Sequence, residues 1–118
     1  MTRFIILAAL VGVLATSPTD AGSKNGNELY DECKDDGPYW NQGVCHGYII
    51  GITDAVLDFQ DANVLVDNFQ KVCMPTEVTT GQIVENAKKY LNDNPEERNY
   101  PGSANVVEAL LLAFPCKK

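Results

Sequence analysis

A single histidine stands in this chain of 118 residues, so any Ser-His-Asp or Cys-His catalytic set would have to use His46. No Gly-x-Ser-x-Gly turn accompanies it. The chain also lacks a C-x-x-C pair and a His-x-x-x-His spacing, which leaves zinc without a ligand framework. Glycine-rich phosphate loops, dinucleotide fingerprints and calcium loops are missing too, so the sequence calls for no metal and no cofactor. Basic residues are scarce: Lys and Arg number 9 against 16 Asp and Glu, for a formal net charge of -7. That balance argues against nucleic acid and anionic lipid, and it suits a basic protein partner. Only one apolar run is long, Phe4 to Ala15, and it falls short of the roughly 20 residues a membrane span needs.

That run has a recognisable setting. Arg3 precedes it and T-S-P-T-D-A-G follows, which gives a charged start, an apolar middle and a small-residue cleavage zone. Residues 1–21 are therefore expected to be a signal peptide cleaved after Ala21, with Val13-Leu14-Ala15 as the competing site and an uncleaved anchor as the alternative. Residues 22–118 then form one small exported, soluble domain. Its four cysteines, Cys33, Cys45, Cys73 and Cys116, make an even set in a short exported chain. Such a set reads as two disulfides, with three possible connectivities.

The expected architecture is all-α: a small disulfide-bonded bundle of four to five short helices around a central glycine-rich one, Gln42–Gln60. In that stretch Cys45, Ile49, Ile52, Val56 and Phe59 follow helical spacing. Gly43, Gly47, Gly51 and Ala55 form a second line at every fourth position. Each glycine costs roughly 0.5–1 kcal/mol against alanine inside a helix, so a helix packed closely against this ridge is the expected compensation. Asn27–Lys34 reads as a first helix capped by Asn25 or Asn27. Asp35–Asn41 reads as loop, with Tyr39 and Trp40 folded back over the domain edge. Val64, Leu65, Phe69 and Val72 fit a short helix or an ordered crossing. Thr79 and Gln82 have capping-box spacing, ahead of Ile83, Val84, Ala87, Tyr90 and Leu91. Ser103 is the expected cap of a last helix with Val106, Val107, Leu110, Leu111 and Phe114 inward.

This layout suggests how the cysteines pair. Cys33 ends the first helix and Cys45 opens the central one; Cys73 precedes the third major helix and Cys116 follows the fourth. If the last two helices form an antiparallel hairpin, their outer ends meet, giving Cys33–Cys45 and Cys73–Cys116. The chain-entropy model assigns about 3 and about 4 kcal/mol to the two closures. Asp54 lies near the small-residue ridge and is expected to be partly buried, where it would need partners; capping a neighbouring helix is its expected role. Asp35, Asp36, Glu96 and Glu97 look like solvated loop charge.

In order along the chain stand Cys33, then G-V-C-H-G-Y-I-I-G-I-T-D (Gly43–Asp54), C-M-P-T-E-V-T-T-G-Q (Cys73–Gln82), K-Y-L-N-D-N-P-E (Lys89–Glu96) and A-L-L-L-A-F-P-C (Ala109–Cys116). This series resembles the Rap/Tai-type family of immunity proteins, whose usual pattern is a Cys, then C-x-G-Y-I-x-G-x-x-D, C-x-P-x-x-V-T-x-x-Q, Y-L-x-x-H-P and A-x-x-x-A-F-P-C. The resemblance implies a disulfide-bonded, mainly helical periplasmic protein. It also implies binding to a peptidoglycan amidase effector delivered by type VI secretion, whose substrate groove is plugged and not altered. Homodimers occur in that family. The loop between the last two helices serves as a contact in some members, which points to Glu96, Glu97, Arg98, Asn99 and Tyr100 here. Gly43, Gly47, Gly51, Asp54 and Gln82 would be structural. Two departures stand out: Asn94 replaces the usual His before Pro95, and the connection from Phe59 to Val72 is longer than usual.

Three functional classes follow: an immunity protein that blocks an amidase, a general periplasmic binding or chaperone-like protein, and a small hydrolase using Asp54 or His46. A cell-wall hydrolase gene beside this one favours the first. Tolerance of unrelated clients favours the second, and activity abolished by Asp54→Asn without loss of folding favours the third.

Overall fold

A computed structural model describes residues 23–63 and 69–117. The expected signal peptide, residues 1–21, and the apolar positions Val64 and Leu65 lie outside the described residues. Four α-helices and one 3-10 turn make up the rest: α1 Gly26–Glu32, α2 Tyr39–Asp61, α3 Thr80–Asp93, the 3-10 turn Pro95–Asn99, and α4 Gly102–Ala113. Among the described residues there is no strand. Two isolated antiparallel bridges, Asn25 with Pro101 and Val72 with Pro115, tie segment ends together. No helix among those residues is long and apolar enough to cross a membrane.

Local chemistry sets the helix starts. Asn25 and Glu28 form a capping box that opens α1, and Thr79 and Gln82 form another that opens α3. Both α2 and α4 begin directly after a proline, Pro38 and Pro101, with no side-chain cap. Ser103 therefore does not cap the last helix, because the helix has already begun at Gly102. Pro38 likewise starts α2 earlier than its apolar spacing suggests, since proline's fixed φ suits a helix entrance. Tyr39 and Trp40 consequently ride on the first turn of α2 and do not fold back: they are 91% and 69% exposed.

The core is built from one face of each helix. Leu29, Ile49, Thr53, Leu91, Val106 and Leu110 are its largest fully buried side chains, and each apolar one contributes about 1.5–3 kcal/mol by leaving water. Thr53 is satisfied inside its own helix, its hydroxyl donating to the Ile49 carbonyl at 2.8 Å. On α2 the buried line is Cys45, Ile49 and Thr53. Ile52 and Val56 pack beside it, while Phe59 is 49% exposed.

That register overturns the close-packed glycine ridge. Gly47 lies two residues, about 200° of helix, from Cys45, so the ridge is turned away from the core. A Cβ built at Gly43, Gly47 or Gly51 would meet nothing within 4 Å. Among the described residues the three glycines face open space. Asp54, on the same outer side, is exposed. It caps no helix, because the caps of α1 and α3 are Asn25 and Thr79.

Both disulfides form as the layout suggests. Cys33–Cys45 is buried, with Cα atoms 5.1 Å apart, and Cys73–Cys116 is exposed, with Cα atoms 4.9 Å apart. The second joins the ends of the α3–α4 hairpin, where the Cys73 N–H also donates to the Phe114 carbonyl at 2.9 Å. Gln60 holds the returning chain from both sides. Its Nε2 donates to the Val72 carbonyl at 3.0 Å, and its Oε1 accepts from the Val72 N–H at 2.7 Å.

Candidate functional site

The segment between α3 and α4 is where the fold concentrates its backbone bonding. Asn94 leaves α3, Pro95 cannot continue it, and the chain winds one 3-10 turn before Pro101 starts α4. The N-terminal segment clamps this turn. The Gly26 N–H donates to the Tyr100 carbonyl at 2.9 Å, and the Gly102 N–H donates to the Lys24 carbonyl at 2.8 Å. Asn27 Nδ2 reaches the Arg98 carbonyl and Asn99 Oδ1, both at 3.3 Å. The approach at Gly26 is closed to any side chain. A Cβ there would lie 2.7 Å from the Arg98 Cα and 3.0 Å from its carbonyl oxygen.

The resemblance puts five residues of this segment forward as contacts, and the structure divides them. Glu96, Asn99 and Tyr100 are exposed, and Glu97 is half-buried. Arg98 turns inward. Its guanidinium lies 3.6 Å from the centre of the Tyr30 ring, Nε donates to the Leu91 carbonyl at 2.6 Å, and Nη2 donates to the Asn92 carbonyl at 3.3 Å. An arginine satisfying the last carbonyls of α3 is a helix C-cap.

Beside the turn is a cavity of about 180 Å³, lined by Tyr90, Glu97, Tyr100, Ala104, Asn105 and Glu108. Asn105 is 3% exposed, and its Nδ2 donates to the Pro101 and Tyr100 carbonyls at 2.9 and 3.4 Å. Its Oδ1 has no hydrogen-bond partner, the one buried side-chain oxygen or nitrogen so placed among the described residues. Partial burial, then the charges of Glu97, Glu108 and Glu96, raise the Tyr90 hydroxyl pKa above its ordinary value. Sequence reasoning missed Tyr90, Asn105 and Glu108 as the lining of a cavity. The available signal was Asn105 itself, a polar residue one position before Val106 on a helix face otherwise destined for the core.

The remaining site residues do not converge. His46 and Asp54 are both exposed on the outer side of α2. Gln82 serves the start of α3, its Oε1 accepting from the Thr79 N–H at 2.8 Å. Asp35 pairs with Lys88 while its own side chain stays 89% exposed, so it is solvated loop charge as expected. Among the described residues no cluster of three or more His, Cys, Asp or Glu could hold a metal ion.

A family model described as Rap1a immunity proteins matches residues 25–116. That span runs from the cap of α1 to the final cysteine, and it includes both disulfides, the clamped turn and the cavity. No curated protein matches the chain.

Proposed function

Because the chain belongs to the Rap1a immunity protein family, we propose that it protects its producer by binding a peptidoglycan amidase effector of a type VI secretion system in the periplasm and blocking that enzyme's substrate groove. The family match over residues 25–116 carries this reading. Export follows from the amino-terminal run and its cleavage zone near Ala21, and two disulfides suit an oxidising compartment. The mature domain would be residues 22–118. A homodimer belongs to the same reading, with the open outer side of α2 as a surface available to a second copy.

The mechanism is obstruction and not turnover. A plug works only if its shape survives contact with the groove, since ordering a loose loop on binding consumes affinity. The turn at Pro95–Asn99 meets that requirement, being held from α1, α3 and α4 before any partner arrives. Glu96, Glu97, Asn99 and Tyr100 would make the contacts, with Arg98 holding them in place. The net charge of -7 would speed encounter with a basic effector, an effect that salt weakens.

Pull-down of the disulfide-bonded protein against secreted proteins encoded beside it, followed by an amidase inhibition assay, tests the proposal. The expected result is one cell-wall amidase captured and inhibited, with inhibition weakened by Tyr100→Ala. Failure to bind any such protein would overturn it.

A further inference from the structure

We infer that Asn25 is a modification site, a deamidation-prone side chain that the clamp between α1 and the Pro95–Asn99 turn holds closed and that converts to isoaspartate when the clamp opens. The inference does not depend on the proposed function.

Asn25 and Gly26 form the chain's one Asn-Gly pair. Two demands of the fold create it. The cap of α1 selects a short polar side chain, and asparagine is among the best. The next position must be glycine, since a Cβ there would meet the Arg98 backbone. Together they set a readily cyclised carboxamide before the least hindered backbone amide. In the reaction the Gly26 nitrogen loses its proton and attacks Asn25 Cγ. A C–N bond forms, the side-chain nitrogen leaves as ammonia, and a cyclic imide results. Water then opens the ring: attack at the side-chain carbonyl gives aspartate, and attack at the backbone carbonyl gives isoaspartate. Either way one water is consumed, one ammonia is released and one carboxylate is gained.

The folded protein opposes each part of this. The Gly26 N–H donates to the Tyr100 carbonyl at 2.9 Å, so the proton that must leave is engaged. Asn25 Oδ1 accepts from the Glu28 N–H at 3.0 Å, which fixes the carboxamide as the cap. The Asn25 backbone is extended, at ψ 172°, and bridges Pro101; closing the ring requires that bond to rotate. Water is not the obstacle, because Asn25 is exposed. With seven residues, α1 has little helical stability of its own, so tertiary contacts keep its first turn in place.

The two products have different fates. Aspartate caps a helix as well as asparagine does, so the clamp re-forms. Isoaspartate runs the main chain through the side chain and adds one backbone atom after residue 25. The Lys24 carbonyl and the Gly26 N–H bond on either side of that point, to Gly102 and Tyr100, so the two no longer fit in register. Opening of the clamp then becomes permanent.

The test is ageing of the disulfide-bonded protein at mildly alkaline pH. Deamidation at Asn25 is followed by mass in peptide maps, with acetyl-Ser-Lys-Asn-Gly-Asn-Glu-amide as the reference. The folded protein should react about tenfold or more slowly than this peptide, a factor of ten for each roughly 1.4 kcal/mol that opening costs. Arg98→Ala, which removes the stack on Tyr30 of α1, should speed the reaction severalfold. Asn27→Ala, which removes two bonds to the turn, should do the same relative to its own peptide. Gln60→Ala takes no bond from α1 or the turn and should leave the rate near that of wild type. A folded protein as reactive as the peptide, a rate that neither clamp variant moves, or equal acceleration by Gln60→Ala would overturn the inference. The products give a second readout. Amide exchange at Gly26 and Gly102 should be fast in the purified isoaspartyl form and unchanged in Asn25→Asp. Protection retained in the isoaspartyl form would overturn the inference as well.

Discussion

Two exposed surfaces of this domain differ in how they are held. The turn between α3 and α4 is fastened from three helices: Gly26 and Asn27 bind its backbone, Arg98 ties it to the end of α3, and Asn105 grips it from α4. The outer side of α2 has no such fastening. Its glycines face open space, and Tyr39 and Trp40 project from its first turn. Glycine thus plays opposite parts in the two regions. At Gly26 the missing Cβ lets two backbones meet, while at Gly43, Gly47 and Gly51 it admits nothing among the described residues. The contrast separates a surface shaped in advance from one that is simply the outside of a helix.

The largest expected effect removes a constraint that lies outside both regions and acts on the chain as a whole. Replacing Cys73 and Cys116 together by serine opens the longer disulfide loop and should cost about 4 kcal/mol in the chain-entropy model. Chemical denaturation, compared with wild type under non-reducing conditions, would measure it. A loss below about 1 kcal/mol would mean that the unfolded chain gains little freedom when this link is cut, and the closure argument would not hold.

Next comes Gly26→Ala. Its Cβ would meet the Arg98 Cα and carbonyl oxygen, two backbone atoms that no rotamer change can move. Overpacking of this kind costs roughly 1–3 kcal/mol, occasionally more. The clamp on the turn should loosen with it, read as faster amide hydrogen exchange at residue 26, whose N–H donates to the Tyr100 carbonyl. An unchanged melting temperature would show that α1 and the turn are not in this close contact.

Arg98→Ala should cost about 2 kcal/mol, since charge-assisted hydrogen bonds are worth roughly 1.5–3 kcal/mol and an aromatic stacking contact up to about 1. Arg98→Lys keeps the charge but loses the fork and the planar stack, so it should recover less than half of the loss. Full recovery by lysine would reduce Arg98 to a point charge. An effector-binding defect in Arg98→Ala larger than its stability defect would return this residue to the contact surface.

Particular residues show why some of this was readable in the sequence. Cys33 and Cys45 flank a turn-rich loop, and Cys73 and Cys116 bracket a helical hairpin, so helix order alone brings the right sulfurs together. Thr79 and Gln82 announce α3 because a capping box is made within four residues. The facing of α2 was harder to read. Ile50, Ile52, Val56 and Leu57 spread apolar character around the helix, and small residues every fourth position describe a ridge without saying what lies against it. Pro38 was a legible start signal that the apolar spacing obscured. Arg98 and Asn105 were beyond local reading, because their partners, Tyr30 and the Tyr100 and Pro101 carbonyls, are assembled by the fold.

The smallest effect has the opposite sign and tests the comparison most directly. Gly43→Ala, Gly47→Ala and Gly51→Ala each add a methyl group to open space and reduce the freedom of the unfolded chain. Each should raise stability by roughly 0.5–1 kcal/mol. The denaturation midpoint should rise with an unchanged slope, as expected when the folded state's extent is unaltered. Protein concentration supplies the second axis. If nothing covers this side of α2, the gain is the same in dilute and concentrated samples. If a second copy packs its backbone there, the added methyl groups would hold the copies apart, and the gain would shrink or reverse as concentration rises. A loss of stability in dilute protein would instead mean that the glycines are packed within the single chain, and the contrast with Gly26 would disappear.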